Sequence, residues 1–337
     1  MKTSTNKSLK NYNTFGIDVK ARKFVSVESV EELRVLLKNS YASELFILGG
    51  GSNMLLTKDV EKTVVHINLK GIKIIEKTDE EVLVEAMAGE NWHQFVLFCI
   101  DNGFGGLENL SLIPGNVGTA PIQNIGAYGV EIKDTFEKCT ALDVQTLEIK
   151  TFNLADCEFG YRDSIFKNAV KGKYIITSVT FRLTRKDHRL NTAYGSIDSF
   201  LEEKEITEPG IKDVSDAVIS IRRSKLPDPK KIGNSGSFFK NPVITKEKHR
   251  ELQEIYPEMP FYEIDEDHVK IPAGWLIDHA GLKGYRTGDA GVHSKQALVL
   301  VNYGNASGEE ILRLSKMVQE RVFDLFGILL QPEVNIF

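Results

Sequence analysis

Two uncharged, glycine-rich stretches are the first places where this sequence could do chemistry. GGGSN occupies residues 49–53, directly after the apolar run LFIL. Gly49, Gly50 and Gly51 permit positive φ and let backbone approach a ligand closely. Successive N–H groups in such a turn form a concavity for an anion, and Ser52 and Asn53 add side-chain donors. A diphosphate suits that chemistry; a tight turn that merely needs flexible residues is the alternative. The second stretch, PGNVGTAPIQNIGAYG at residues 114–129, has four glycines, two prolines and no charge. A purely structural loop rarely runs so long without solvating charges. A flat, largely apolar redox ring edged with hydrogen-bonding atoms needs such neighbours: small residues, available backbone, and the amides of Gln123 and Asn124. Together the stretches read as a site for a flavin dinucleotide. Neither GxGxxG nor GxxxxGK[ST] occurs, so neither a dinucleotide-binding helix loop nor a P-loop is supported.

An anionic ligand has to be met locally, because the chain is acidic overall. Its 42 Lys and Arg against 47 Asp and Glu give a net charge of −5. That argues against nucleic acid or an anionic membrane as a partner. The basic residues Arg222, Arg223, Lys225, Lys230, Lys231 and Lys240 cluster around SKLPDPKKIGNSG, a hinge-like stretch. The seven histidines show no metal spacing and no CxxC occurs, so no metal is expected. Asp278-His279 in WLIDHAG reads as a helix end rather than a catalytic dyad. Cys99, Cys139 and Cys157 are odd in number and far apart, which fits reduced thiols. The first residues lack an apolar signal core and no run approaches a membrane span, so the cytoplasm is the expected location.

Positioning such loops takes more than one core, since 337 residues imply two or three domains. Ser29-Val30-Glu31-Glu32 is a capping box, and Val30, Leu33, Leu36 and Leu37 form one apolar stripe. LFIL, VVHINL and VLVEAMAG read as strands. Trp92, Phe95, Val96, Cys99 and Ile100 share a helix face. CTALDVQT, LEIKTFNL and YIITSVTFRL follow as strands, the last alternating as if half-buried. Beyond the hinge come helix WLIDHAGLKG, strand ALVLVN, and a helix opened by the box Ser307-Gly308-Glu309-Glu310. The order is mixed, so α+β is expected rather than a doubly wound sheet.

Six motifs in order, GGGSN, PGNVGTAPIQNIGAYG, EFGYRDSIF, KLPDPK, GSFFKNP and the terminal PEV, resemble the UDP-N-acetylenolpyruvoylglucosamine reductase (MurB) family, and the likeness runs from Asn13 to the C-terminus. The resemblance implies reduction of an enolpyruvyl ether of UDP-N-acetylglucosamine to UDP-N-acetylmuramate in peptidoglycan synthesis, with FAD as cofactor and NADPH as co-substrate. It implies an FAD-binding region of the vanillyl-alcohol-oxidase type in two parts, residues 1–69 and 70–218. A substrate-binding domain at 219–322 and a returning C-terminal segment at 323–337 complete it. Ser52 and Asn53 stand where covalent relatives carry histidine, so noncovalent FAD is expected. Its cradle is Gly49, Gly50, Gly51, Ser52, Asn53, Pro114, Gly115, Gly118, Thr119, Ala120, Ile122 and Gly126.

By the same resemblance, Arg162 stabilises charge on the substrate carboxylate, Ser237 donates the proton, and Glu333 assists beside Arg162. Lys225 and Asn241 contact the uridine-diphosphate part, with Tyr161 and Gln296 nearby in the substrate site. Tyr194 matches the mobile tyrosine of the family's longer class, and the other hinge cations read as a solvated face. Asn335 stands where some relatives carry a basic residue. A monomer acting on a UDP-sugar is expected. A flavin oxidase on the same architecture is the alternative, and a scaffold that has lost chemistry is disfavoured because Arg162, Ser237 and Glu333 are all kept.

Overall fold

A computed structural model describes all 337 residues of the chain. They fall into two compact units. The first comprises Met1–Lys7, Ala21–Gly50 and Val60–Ser224; the second comprises Ser8–Lys20, Gly51–Asp59 and Lys225–Phe337.

The first unit holds two sheets. In one, the strands run in the order Lys2–Ser8, Lys20–Val27, Val60–Ile67, Leu45–Leu48, and the last three pair in parallel. The helix Val30–Lys38 covers it, burying Leu33, Leu36 and Leu37 against Val25, Val27, Val65 and Ile67. Ser29 caps this helix by accepting from the Glu32 N–H. The reciprocal arm differs from the sequence expectation: Glu32 accepts from the Glu28 N–H at 2.8 Å, one residue before the cap.

The second sheet is antiparallel, ordered Ile149–Asn153, Phe136–Asp143, Tyr174–Thr184, Glu81–Met87, Ile72–Lys77. Its central strand departs from the half-buried pattern read in the sequence, because residues 175–181 are all buried. The polar positions are inside because their hydroxyls are paired. Thr177 and Ser178 each meet Thr140 at 2.8 Å, and Ser178 also donates to Glu85 at 3.0 Å. Hydrogen-bonded hydroxyls can be buried at little cost, whereas unpaired ones cannot. The apolar positions Val179 and Phe181 join the main core with Trp92 and Phe95, whose rings lie 5.7 and 5.3 Å from that of Phe181. Trp92 satisfies its indole N–H on the Leu110 carbonyl at 2.9 Å. This core is the floor on which residues 114–129 are built.

The second unit contains the sheet Gly233–Ser237, Val299–Asn302, Ala290–Val292, Arg286–Thr287, again antiparallel. The long helix Gly308–Phe326 packs on it, opened by the expected reciprocal box of Ser307 and Glu310 and closed by Gly327 at φ +66°. Residues 51–59 belong to this unit by tight backbone contact. A Cβ on Gly308 would lie 1.8 Å from the Leu56 carbonyl oxygen, and one on Gly51 would lie 2.0 Å from that of Tyr12. The architecture is α+β.

Neighbouring residues of the central strand should differ sharply in what they contribute. Phe181→Ala empties a fully buried site and should cost about 3–5 kcal/mol. Arg182 makes only surface ion pairs, with Glu81 and Glu137, so Arg182→Ala should cost no more than about 1 kcal/mol. Denaturant midpoints of the two variants check the contrast.

Candidate flavin and active site

Within the first unit, Gly49 and Gly50 meet the second glycine-rich stretch. A Cβ on Gly50 would lie 2.8 Å from Gly115 Cα and 2.9 Å from the Asn116 nitrogen, so at this point backbone lies directly against backbone. One on Gly49 would lie 2.6 Å from Thr119 Cγ2, and one on Gly118 would lie 2.4 Å from Ala88 Cβ. Three hydrogen bonds fix the second stretch to its floor: Trp92 N–H to the Gly115 carbonyl, Val117 N–H to that of Glu90, and Gly118 N–H to that of Ala88. In the 49–53 turn, no backbone acceptor takes the N–H groups of Gly50, Gly51 or Ser52. Unpaired donors in a glycine turn suit an anion such as a diphosphate.

Beside the contact lies a cavity of about 230 Å³. Gly49, Gly118, Thr119 and Ile122 line it together with aliphatic and aromatic residues such as Leu45, Ile67, Phe166 and Ile175. An apolar slot bordered by glycine backbone fits one end of a flat-ringed dinucleotide. Among the other expected cradle residues, Ala120 is buried, Pro114 is half-buried, and the Gly126 carbonyl accepts from Arg162. Asn124 departs from its expected place at the ring edge. Its amide donates to Glu131 and to the Gly160 carbonyl and accepts from the Lys133 N–H, so it holds the loop at a φ of +43°.

Arg162 occupies the tight turn closed by Gly160 and Asp163, with φ +55°. Non-glycine residues in this region are strained and persist where the surroundings impose them. Arg162 Nη2 donates to the Gly126 carbonyl at 2.8 Å, while its own carbonyl accepts from Lys167. Asp163, the acid next in sequence, is held by the Asn168 amide. Tyr161 is exposed, with its ring 5.9 Å from the Arg162 guanidinium. Tyr194, also exposed, belongs to a loop packed on the 114–129 stretch: its Cβ would lie 3.3 Å from a Cβ on Gly129.

In the second unit, the C-terminus lies alongside GSFFK. Ser237 ends its strand opposite Val299, and the carbonyl of the next residue, Phe238, accepts from the Glu333 N–H at 2.8 Å. Phe239 bridges to Pro332, and Lys240 N–H reaches the Gln331 carbonyl. Asn53 donates to the Glu333 carbonyl at 3.4 Å, and Asn335 returns two bonds to the Asn53 carbonyl. Asn335 is therefore used to pin the turn. Asn241 Oδ1 caps the Ala273 N–H at 2.9 Å, leaving its NH₂ as the end available to a ligand. Gln296 Oε1 lies at the same helix start, 3.3 Å from where Gly274 would place a Cβ. His279 stacks on Trp275 at 3.6 Å while Asp278 pairs with Lys283, so they form no dyad.

Arg223, Lys225, Lys230 and Lys231 are exposed. Arg222 breaks the expectation of a solvated face: its Nε is sealed from solvent. Residues 211–225, to which no element is assigned from the sequence, form a fifteen-residue helix. The apolar spacing Ile211, Val214, Val218, Ile221 was the available signal, and it turns Arg222 inward.

Fold and site together define an α+β flavoprotein of the FAD-binding oxidoreductase class. Residues 21–148 match the model of the FAD binding domain, and residues 228–337 that of the UDP-N-acetylenolpyruvoylglucosamine reductase C-terminal domain. UDP-N-acetylenolpyruvoylglucosamine reductases from Flavobacterium johnsoniae and Pseudomonas putida are similar to this chain over nearly all their lengths. The first is 61% identical, with 100% of each chain covered; the second is 49% identical, with 98% of this chain and 97% of the relative covered. The crystal structure of the enzyme from Thermus caldophilus superposes with a TM-score of 0.67 at 25% identity, covering 100% of this chain and 98% of that one. The chain belongs to the UDP-N-acetylenolpyruvoylglucosamine reductase family. No helix is long and apolar enough to cross a membrane.

Since Gly50 and Gly118 have no room for a side chain, Gly50→Ala and Gly118→Ala should lose flavin by at least ~10-fold in affinity, or about 1.4 kcal/mol. Gly210→Ala is the control, because its added methyl meets nothing closer than 3.6 Å. Flavin absorbance per protein after gel filtration measures the difference, and acid should release the flavin from the parent protein.

Proposed function

We propose that the protein reduces UDP-N-acetylenolpyruvoylglucosamine to UDP-N-acetylmuramate in the cytoplasm, with NADPH as reductant and noncovalent FAD. The observation that carries this reading is the pairing of residues 237–240 with 331–333, which sets Ser237 beside the segment bearing Glu333. Bound FAD supplies the hydride, held by the turn at residues 49–53 and by Gly115, Gly118, Thr119 and Ile122.

The remaining work falls to side chains. Hydride addition to the terminal alkene carbon pushes negative charge onto the substrate carboxylate. Arg162, fixed by its own turn and by the Gly126 carbonyl, is preorganised to receive that charge. Ser237 gives its hydroxyl proton to the adjacent carbon, and Glu333 relays protons and orients the groups around it. Lys225, the Asn241 NH₂, Gln296 and Tyr161 hold the uridine diphosphate, and Tyr194 closes over the bound substrate. Three cysteines, an odd number with no framework spacing, support a reducing compartment.

Separating the half-reactions tests Ser237. Reduction of the flavin by NADPH needs no proton at a substrate carbon, so Ser237→Ala should bleach at the parent rate. Its reoxidation by the enolpyruvyl substrate should slow by at least ~10²-fold, the lower end of general-acid effects. Ser237→Cys, with a more acidic group of similar shape, should recover part of the loss. Anaerobic stopped-flow absorbance follows both steps; an alanine variant that reoxidises at the parent rate assigns the proton to another donor.

A further inference from the structure

The start of the helix Trp92–Asp101 and the segment that leads into Pro114 are laced together by a series of hydrogen bonds. The Trp92 indole N–H reaches the Leu110 carbonyl, and the Trp92 backbone N–H reaches that of Gly115. Asn91 bridges to Asn116, and the Val117 N–H reaches the Glu90 carbonyl. Between the bonds at Leu110 and Gly115 stands Leu112, a non-glycine residue at a φ of +58°. Backbone in that region persists only where its surroundings impose it. No backbone carbonyl takes the Leu112 N–H. Its partner is a side chain: His93 Nδ1 accepts it at 3.0 Å.

An imidazole accepts at Nδ1 only when that nitrogen carries no proton, so this bond belongs to neutral His93. Protonation would set one N–H against another and release Leu112. The surroundings keep the ring neutral. Burial, with the charges of Arg223 and Arg222 on the helix Ile211–Lys225, holds His93 below its ordinary value. Acids close by in sequence are engaged elsewhere, Glu90 by the Gly71 N–H and Glu108 by the Gly106 N–H. Ser111, the residue before Leu112, is fixed to the Ser215 hydroxyl at 2.7 Å. Of the contacts that shape this turn, the one made by His93 is switched by a proton.

We propose that His93 is a positioning residue for the flavin: its bond to the Leu112 N–H sets the turn that presents Gly115, Gly118 and Thr119. This rests on the reading of residues 114–119 as part of the flavin cradle. Leu112 lies two residues before Pro114, so freeing its backbone loosens the entry to that cradle. The direction with pH follows from the neutral ring. Its contribution is fully present above the ordinary histidine value of about 6.5, and is lost as pH falls through the lower value held in the folded protein.

The test dilutes the flavin-loaded parent, His93→Asn and His93→Leu into buffers from about pH 8 to about pH 5.5, spanning the histidine range. Free flavin is read by fluorescence after ultrafiltration, and far-UV circular dichroism of the same samples follows the fold. The parent should lose ~10-fold in flavin affinity at the acid end while still folded, the scale of a donor left without its partner. His93→Asn places an acceptor oxygen near the Nδ1 position and cannot be protonated, so its profile should be flat across the range. His93→Leu fills the space without an acceptor, and should be weaker than the parent at neutral pH and equally flat. If the leucine variant does not fold, the flat profile of His93→Asn decides. A parent with no pH dependence would overturn the proposal, as would a His93→Asn profile that falls like the parent's. Parent affinity in His93→Leu, while Gly118→Ala loses flavin, would overturn it too. Flavin kept by His93→Leu and Gly118→Ala alike would instead remove the cradle reading itself.

Discussion

At Gly50 and Gly115 two segments of main chain pass with no space for a single methyl group between them. Much of the candidate cofactor site depends on that approach. It places the end of the Leu45–Leu48 strand against a stretch held to the antiparallel sheet through Ala88, Glu90 and Trp92. Because the contact is backbone on backbone, no rotamer change can relieve an added side chain. The glycines are therefore geometric requirements here. The same logic recurs at Gly118 against Ala88 and, in the second unit, at Gly51 against Tyr12.

Electrostatics sets the second constraint. A chain of net charge −5 that handles a diphosphate and a carboxylate must concentrate positive charge where it acts. The backbone donors of Gly50, Gly51 and Ser52 and the guanidinium of Arg162 offer positive character of that kind. Asp163 is held by Asn168, and Glu131 by Asn124 and Lys133.

The motifs in the sequence pointed to the cofactor and the family because their residue types are dictated by backbone geometry that a reader can infer. The α+β class followed from the mixed order of patterns, and the helix starts from capping residues. Other features stayed hidden for physical reasons. The polar positions of the Tyr174–Thr184 strand look solvent-facing in one dimension, yet Thr177 and Ser178 are buried by bonds to Thr140 and Glu85 from neighbouring strands. Arg222 looks like one more hinge cation in one dimension, since the sealing of its Nε depends on a helix face that packs on Tyr128. Asn124 offered an amide that the fold consumes internally. Membership of residues 8–20 and 51–59 in the second unit rests on contacts from Gly233, Gly308 and the C-terminal strand, far away in sequence.

In the function proposed for this protein, the flavin serves an enolpyruvyl substrate rather than oxygen. The most direct measurement reduces the purified protein with NADPH under anaerobic conditions, then mixes it in separate shots with UDP-N-acetylenolpyruvoylglucosamine and with air-saturated buffer. The oxidised flavin band should return within single-turnover time on mixing with the enolpyruvyl substrate, with one equivalent of UDP-N-acetylmuramate formed, and far more slowly with oxygen. Rapid return with oxygen and none with the enolpyruvyl substrate would contradict it and identify an oxidase.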